Sequence, residues 1–215
     1  MFSLDNRRLY LCTPLRDDLA SFVPAVVAGG VDVVQLREKR RPREDQREAG
    51  VLLSAICRDL GVPFIVNDDP TLALEIGADG VHVGQDDCSV TRCRTVLGDE
   101  AIVGLSTHAR NEFDVALGQR ATYVSAGPLV PTPTKEGRAG TGLAYALECQ
   151  TRSNRPVFIT GGVDATNVAA LVEAGLRHFV VVRALTESAT PRASAASIRR
   201  ALDEALSAVP VEPAQ

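Results

Sequence analysis

The sequence lacks any apolar stretch approaching the roughly 20 residues that a membrane-spanning helix requires. Met1 to Arg8 carries Asp5 and Arg7 where a signal peptide would be apolar, so a cytoplasmic protein is expected. Positive charge is not in excess either. Against 27 Asp and Glu stand 23 Lys and Arg, a formal net charge of −4. Proteins that grip nucleic-acid backbones usually carry a basic surface, so a general binder of that kind is excluded and any anion site must be local. The five cysteines, Cys12, Cys57, Cys88, Cys93 and Cys149, are odd in number and include no CxxC pair. Neither a disulfide framework nor a zinc knuckle fits that pattern, and buried or bystander thiols are expected. Cys12 is singled out because it ends the first predicted strand, where a barrel enzyme could use it as a base.

What is present is apolar side chain in a regular rhythm. Hydrophobic residues make up 45% of the 215 against 23% charged, enough to fold one domain. Eight short apolar runs recur: Leu9 to Cys12, Val31 to Leu36, Phe64 to Val66, Gly80 to Val83, Ile102 to Leu105, Tyr123 to Ala126, Val157 to Ile159 and Phe179 to Val182. Between them lie helical spacings, as in Phe22, Val23, Val26 and Val27, in Leu52, Leu53, Ile56 and Leu60, and in Val168, Leu171 and Val172. The runs are continuous rather than alternating, as in parallel strands covered by helices. Eight units predict a single α/β domain, a (β/α)8 TIM barrel over residues 1–209; an open doubly wound sheet is the competing arrangement. The Pro-rich tail 210–215 is expected to fray.

In such a barrel the residues following each strand meet at one mouth, where the chemistry resides. The second strand ends in Gln35, Leu36, Arg37, Glu38 and Lys39. Two cations two residues apart in extended chain point the same way and suit a polyphosphate; a solvated charged loop is the alternative. The next two ends supply Asn67, Asp68 and Asp69, then Gln85, Asp86 and Asp87. One of the first acids is expected to cap the helix opened by Pro70. Carboxylates from neighbouring strands, facing a basic cluster, suggest a hard cation that bridges to phosphate oxygens. Turn chemistry accounts for either pair alone.

The sixth run leads into a long loop containing Thr132, Pro133, Thr134 and Lys135, with Gly137, Gly140 and Gly142 as hinges. It reads as a lid that delivers a cation, or else as a surface loop. The seventh ends in Gly161 and Gly162, which let the backbone approach a phosphate. His82, inside a strand between Val81 and Val83, reads as a packed or hydrogen-bonded residue. His108 is a candidate for the mouth.

The motifs "VVQLREK", "FIVNDD", "ADGVHVGQDD", "VGLSTH", "GPLVPTPTKEG" and "FITGGVDATN" stand in an order, and over a span covering almost the whole chain, that resembles thiamine phosphate synthase. The resemblance implies a TIM-barrel transferase of thiamine biosynthesis that requires Mg²⁺. It would join hydroxymethylpyrimidine diphosphate to a thiazole phosphate, plain or carboxylated, and release pyrophosphate. Carried over by position, it puts the pyrimidine diphosphate on Gln35, Leu36, Arg37, Glu38, Lys39 and Asn67. Asp68 and Asp87 would be the Mg²⁺ ligands, and Ser106 and Lys135 would hold the pyrophosphate. Thr132, Pro133 and Thr134 would meet the thiazole, and its phosphate would meet Gly162, Val182 and Arg183. Relatives often carry Ser where Arg183 stands, so both an added phosphate contact and a side chain turned away are open. The segment after Gly175, "LRHF", also departs from the family pattern.

The implied reaction is dissociative and needs no protein nucleophile: Arg37, Lys39, Lys135 and the metal would steady the leaving group, with Ser106 beside them. The partners would be small molecules only, without nucleic acid or membrane, and assembly into a homo-oligomer stays open. Two rivals remain. A thiazole tautomerase-like or other phosphate-binding barrel isomerase would need an acid and base at the mouth, yet the sixth run ends in Ser125 and Ala126 with no carboxylate. A non-catalytic sensor of thiamine phosphate would have no use for the paired acids and Lys135. Because the resemblance places Lys135 on the pyrophosphate, Lys135→Ala is expected to lower turnover by about two orders of magnitude, the scale of one preorganised contact to developing charge. Unchanged turnover in a steady-state assay would remove Lys135 from the reaction.

Overall fold

Leu9, Tyr10 and Leu11 are each no more than 1% exposed, although Leu9 and Leu11 join one apolar cluster and Tyr10 another. Successive residues of a strand face opposite sides, so a strand buried on both must lie between two layers. The same holds around a closed ring. In the computed structural model, which describes residues 2–133 and 139–209, the strands are β1 (Leu9–Thr13), β2 (Val33–Leu36), β3 (Phe64–Asn67), β4 (Gly80–Val83), β5 (Ile102–Thr107), β6 (Tyr123–Ala126), β7 (Val157–Ile159) and β8 (His178–Val181). All pairings are parallel, each strand pairs with the next, and β8 returns to β1 through Tyr10 opposite Val180. That closing pair excludes the open sheet. The frayed tail expected at 210–215, together with Thr134, Lys135 and Gly137, lies outside the described residues.

Helices α1 (Leu19–Ala28), α2 (Arg43–Leu60), α3 (Pro70–Glu75), α4 (Val90–Leu97), α5 (Arg110–Leu117), α6 (Gly142–Arg152) and α7 (Val168–Glu173) follow successive strands, with α8 (Arg183–Thr186) and α9 (Pro191–Ala208) after the last. Between them and the barrel lies the larger core, to which α1 sends Phe22, Val23 and Val26. On α2 the buried stripe is Gly50, Leu53, Ser54 and Cys57, while Leu52 and Leu60 are 42% and 39% exposed. Hydrophobicity points to the larger side chains, but contact here favours small ones. A Cβ on Gly50 would come within 2.4 Å of Ile76 Cδ1, so the helix approaches its neighbour through the missing side chain.

Some strand limits also depart from the apolar runs. β5 continues beyond Leu105 because Ser106 and Thr107 pair with Ser125 and Ala126. β2 begins at Val33, two residues later than its run, because Asp32 turns its carboxylate onto the amides of Arg8 and Leu9 at 2.8 and 3.0 Å. Polar residues thus extend or open strands wherever a ladder bond or an amide satisfies them.

Inside the barrel, Tyr10, Val33, Ile65, Ile102, Tyr123 and Phe158 form an apolar plug, closed at the strand starts by Leu4. Tyr10 and Tyr123 meet Phe158 edge to face at 5.3 and 5.2 Å. Each ring of this kind contributes about 1.5–3 kcal/mol by burial, and together they leave the strand ends free for polar groups.

At the opposite end of the barrel from the mouth, His178 Nδ1 donates to the Arg7 carbonyl at 2.7 Å and Nε2 accepts from Arg8 at 3.0 Å. Burial pushes this imidazole down from 6.5 to about 4, aided by Arg8 and Arg177 and opposed by the Arg7 carbonyl and Asp5. The folded value lies below the unfolded one, so the unfolded chain takes up the proton first on acidification. Stability from this group is full above pH 6.5 and is lost progressively down to about pH 4, amounting to about 3 kcal/mol. His178→Gln keeps a donor and an acceptor without titrating. Urea midpoints measured across that interval are expected to fall more steeply for the parent than for the variant; parallel curves would discard this account.

Candidate active site

Above the aromatic plug the inward positions turn polar. Cys12, Gln35, Asn67, His82, Ser106 and Ser125 come from six consecutive strands and line one cavity of about 310 Å³ at the strand C-terminal ends. Its wall is completed by Thr132, by Thr160 to Asp164 after β7, and by Val182, Arg183, Ala184 and Glu187 after β8. Of the positions proposed from sequence, Gln35, Arg37, Asn67, Ser106, Thr132, Gly162, Val182 and Arg183 line this single cavity. Arg37 and Arg183 do so without an ion-pair partner among the described residues.

The remaining residues of the basic segment divide. Leu36 is 3% exposed and its side chain joins the outer core, so only its backbone stands near the rim. Glu38 turns into its own loop and accepts from the amides of Arg40, Leu15 and Arg41 at 2.7, 3.3 and 3.3 Å. Burial pushes this carboxyl up, but those amides outweigh it and hold it below the usual range. Lys39 does not line the cavity beside Arg37; its Nζ lies 2.8 Å from Asp68 Oδ2. The extended spacing that would point both cations one way ends with β2 at Leu36, and the loop sends them to different partners.

Asp68 adopts φ 64°, a left-handed conformation uncommon for a non-glycine residue. Its carboxyl is pushed up by burial and by the neighbouring Asp87 carboxylate within hydrogen-bonding reach, with Lys39 opposing. Asp87 is held from behind by the Gly84 amide at 2.8 Å. Asp69 is the helix cap: its Oδ1 accepts from the Leu72 amide at 2.9 Å, and Arg43 meets its Oδ2 at 3.2 Å. Two carboxylates forced together, with one cation alongside, favour a further cation or a shared proton. No cluster of three or more His, Cys, Asp or Glu able to hold a metal occurs among the described residues.

On the far wall, Gly161 and Gly162 have φ 92° and 79°. A Cβ on Gly162 would come within 2.5 Å of Val130 Cγ2, and one on Gly161 within 2.4 Å of Pro128 Cβ. Glycine is needed at both because the β6 to α6 segment packs onto this turn, where Leu129 N donates to the Thr160 carbonyl at 2.7 Å. Asn167 Nδ2 donates to the Gly162 carbonyl at 2.6 Å and fixes the turn.

His82 bonds Tyr123 through Nδ1 at 2.9 Å and Ser106 through Nε2 at 2.8 Å, so it is both packed and part of the cavity wall. His108 instead turns to Glu112 at 3.0 Å at the start of α5 and does not line the cavity. Cys12 spends its thiol proton on Gln35 Oε1 at 3.1 Å. Sequence reading passed over Tyr10, Tyr123, Ser125, Thr160, Asp164 and Glu187 as wall residues. The signal for Tyr10 and Ser125 was their alternation with apolar neighbours along β1 and β6, which marks the inward face once barrel closure is known. No helix among the described residues is long and apolar enough to cross a membrane.

Residues 9–185 match a family model described as thiamine monophosphate synthase. The chain is 40% identical over 216 residues to a protein of Mycobacterium bovis named thiamine-phosphate synthase, covering 94% of this chain and 97% of that one. It is likewise 40% identical over 184 residues to a Gloeobacter violaceus protein of that name, covering 86% of this chain and 54% of its relative. Among solved structures, thiamine phosphate pyrophosphorylase from Pyrococcus furiosus superposes with a TM-score of 0.83 at 25% identity, over 93% of this chain and 97% of that one.

Proposed function

The chain belongs to the thiamine monophosphate synthase family, an enzyme family of transferases in thiamine biosynthesis, and from that premise we propose its substrates and mechanism. It condenses 4-amino-2-methyl-5-(diphosphooxymethyl)pyrimidine with hydroxyethylthiazole phosphate to give thiamine phosphate and pyrophosphate; with the carboxylated thiazole phosphate the ring also releases CO2 and takes up one proton at the vacated carbon. The observation that carries this reading is one undivided cavity lined by two arginines, Arg37 after β2 and Arg183 after β8, that have no ion-pair partner among the described residues. Two phosphorylated substrates can then share the cavity, each with its own cation, with their reacting atoms together.

Arg37 grips the diphosphate and Lys39 neutralises the rim beside it, while Gln35 and Asn67 present amide groups to the pyrimidine. Ser106 adds a hydroxyl, and Lys135, which lies outside the described residues, a second cation to the same leaving group. Gly162 and the backbone at Val182 and Arg183 receive the thiazole phosphate, to which the Arg183 guanidinium adds charge. Thr132, in the cavity wall, flanks the thiazole ring; Pro133 follows it in the chain, and Thr134 lies outside the described residues. The carbon–oxygen bond between the pyrimidine methylene and the diphosphate breaks with its electron pair leaving on pyrophosphate. The thiazole nitrogen then donates its lone pair to form the new carbon–nitrogen bond. With the uncarboxylated thiazole no proton moves, and with either form no protein nucleophile takes part, so the residues act by holding charge and excluding water.

Asp68 and Asp87 fit a Mg²⁺ ion: their carboxylates lie within hydrogen-bonding reach of each other, and this raises Asp68, a repulsion that a divalent cation would relieve. When bound, it would supply charge to neutralise diphosphate oxygens. Five free cysteines fit a cytoplasmic location, where thiols stay reduced.

The direct test mixes both substrates with Mg²⁺ and measures pyrophosphate release. One pyrophosphate per thiamine phosphate is expected, with none when either substrate is omitted; no release with both present would overturn the reading. Asp87→Ala is expected to raise the Mg²⁺ concentration for half-maximal rate about tenfold or more. An unaltered metal titration would take Asp87 out of the site.

A further inference from the structure

The polar layer under the cavity is one connected line of hydrogen bonds, and the chemistry of its members gives that line a direction. The Cys12 thiol donates to Gln35 Oε1, and Gln35 Nε2 lies 3.1 Å from Tyr10 Oη. An amide nitrogen only donates, so Tyr10 Oη accepts there and has its own proton to give. Tyr123 Oη is 3.0 Å away and receives it. Burial pushes both phenols well up, so both keep their protons. Tyr123, having accepted from Tyr10, passes its proton to His82 Nδ1 at 2.9 Å. In a neutral imidazole whose Nδ1 accepts, Nε2 carries the hydrogen, and Nε2 faces Ser106 Oγ at 2.8 Å. Ser106 thus accepts from below, and its own hydrogen is left for a ligand oxygen or for Ser125 Oγ at 3.3 Å, a longer contact in which either hydroxyl can donate.

The opposite tautomer fails on counting. With the hydrogen on Nδ1, Tyr123 Oη would face two donors, Tyr10 and His82, and its own proton would have no acceptor in the line. Nε2 would then claim the Ser106 hydrogen, leaving only lone pairs toward the cavity. Space for the Tyr123 to His82 bond is made by Gly104 on β5: a Cβ there would come within 2.2 Å of Tyr123 Cζ and 2.4 Å of His82 Nδ1. Any larger residue would separate the pair.

We propose that Tyr10 and Tyr123 are positioning residues that hold His82 as the Nε2–H tautomer and so keep Ser106 as a hydrogen-bond donor toward an anionic oxygen in the cavity. This rests on the reading above that the diphosphate lies at Ser106. A serine turned the other way would present lone pairs to a polyanion and repel it. The device therefore selects for charge on the ligand without a charged group in the barrel interior, where desolvation would be costly.

The tautomer is readable with the line itself left unaltered. Nitrogen NMR of the full chain, with isotope-labelled histidine, separates protonated from bare ring nitrogens, and His108→Gln and His178→Gln assign the signals. His82 is expected to show a protonated Nε2 and a bare Nδ1 at neutral pH; a protonated Nδ1 or an imidazolium overturns the proposal. Tyr123→Phe is expected to lose that pattern and to lower kcat about tenfold, the scale of one neutral hydrogen bond, with KM for the thiazole phosphate unchanged. Ser106→Ala is expected to cost about a hundredfold, and adding Tyr123→Phe to it nothing more. Additive losses overturn the proposal, because the tyrosine would then act independently of the serine. Should Tyr123→Phe not fold, Tyr10→Phe interrupts the line one step earlier and is judged by the same readings. Full turnover in Ser106→Ala, with the expected tautomer present, overturns instead the placing of the diphosphate at Ser106.

Discussion

The hydroxyl-to-hydroxyl bond between Tyr10 and Tyr123 crosses the barrel at the level where apolar packing gives way to a polar wall. Below it the rings of both tyrosines pack on Phe158 and need no polar partner. Above it the inward side chains of β1 to β6, Cys12, Gln35, Asn67, His82, Ser106 and Ser125, carry hydrogen-bonding groups, while Val180 and Val182 keep the β8 side of the wall apolar. A phenol suits that boundary because its ring belongs to one layer and its oxygen to the other. The closed register makes the meeting possible: β1 and β6 stand three strands apart around the ring, and alternation sends both residues inward.

At the rim the governing constraint is like charge. Asp68 and Asp87 arrive from adjacent strands and are held together, one by a left-handed backbone and the other by the Gly84 amide. Lys39 meets one of them and offsets part of the repulsion. Glu38, Asp69 and Asn167 serve differently: they secure loop backbones, so that the groups facing the cavity are carried on anchored turns rather than on free ones. A rim of this construction has a fixed shape before any ligand arrives, and fixed donors and charges cost no reorganisation when a ligand's charge develops.

The strand order and the mouth were legible in the sequence because both depend on local pattern. Eight apolar runs at regular spacing leave few ways to bury them, and the residue after each run must stand at one end. Gln35, Arg37, Asn67 and the Gly161–Gly162 turn were found this way, whereas Ser106 came only with the family resemblance. Leu36 shows where the method stops: it sits among site residues in sequence, but the two-residue period turns its side chain to the outer core. On α2 the expected stripe of Leu52 and Leu60 gave way to Gly50, Ser54 and Cys57, since close helix approach rewards small size more than hydrophobicity. His108 follows strand five and yet serves a helix start through Glu112, a choice made by the loop's own geometry.

By itself the sequence determined the barrel, the family and the set of strand ends from which a site could be built, because periodicity and motif order are properties of neighbours along the chain. Only the tertiary structure decided that Lys39 turns to Asp68 while Arg37 stays in the cavity, and that Cys12, Gln35, Tyr10, Tyr123, His82 and Ser106 form one directed line. The partners in that line come from five strands, and Tyr10 and Tyr123 are 113 positions apart. A hydrogen bond is a relation between points in space over about 3 Å, so no local pattern could have paired them before the sheet closed on itself.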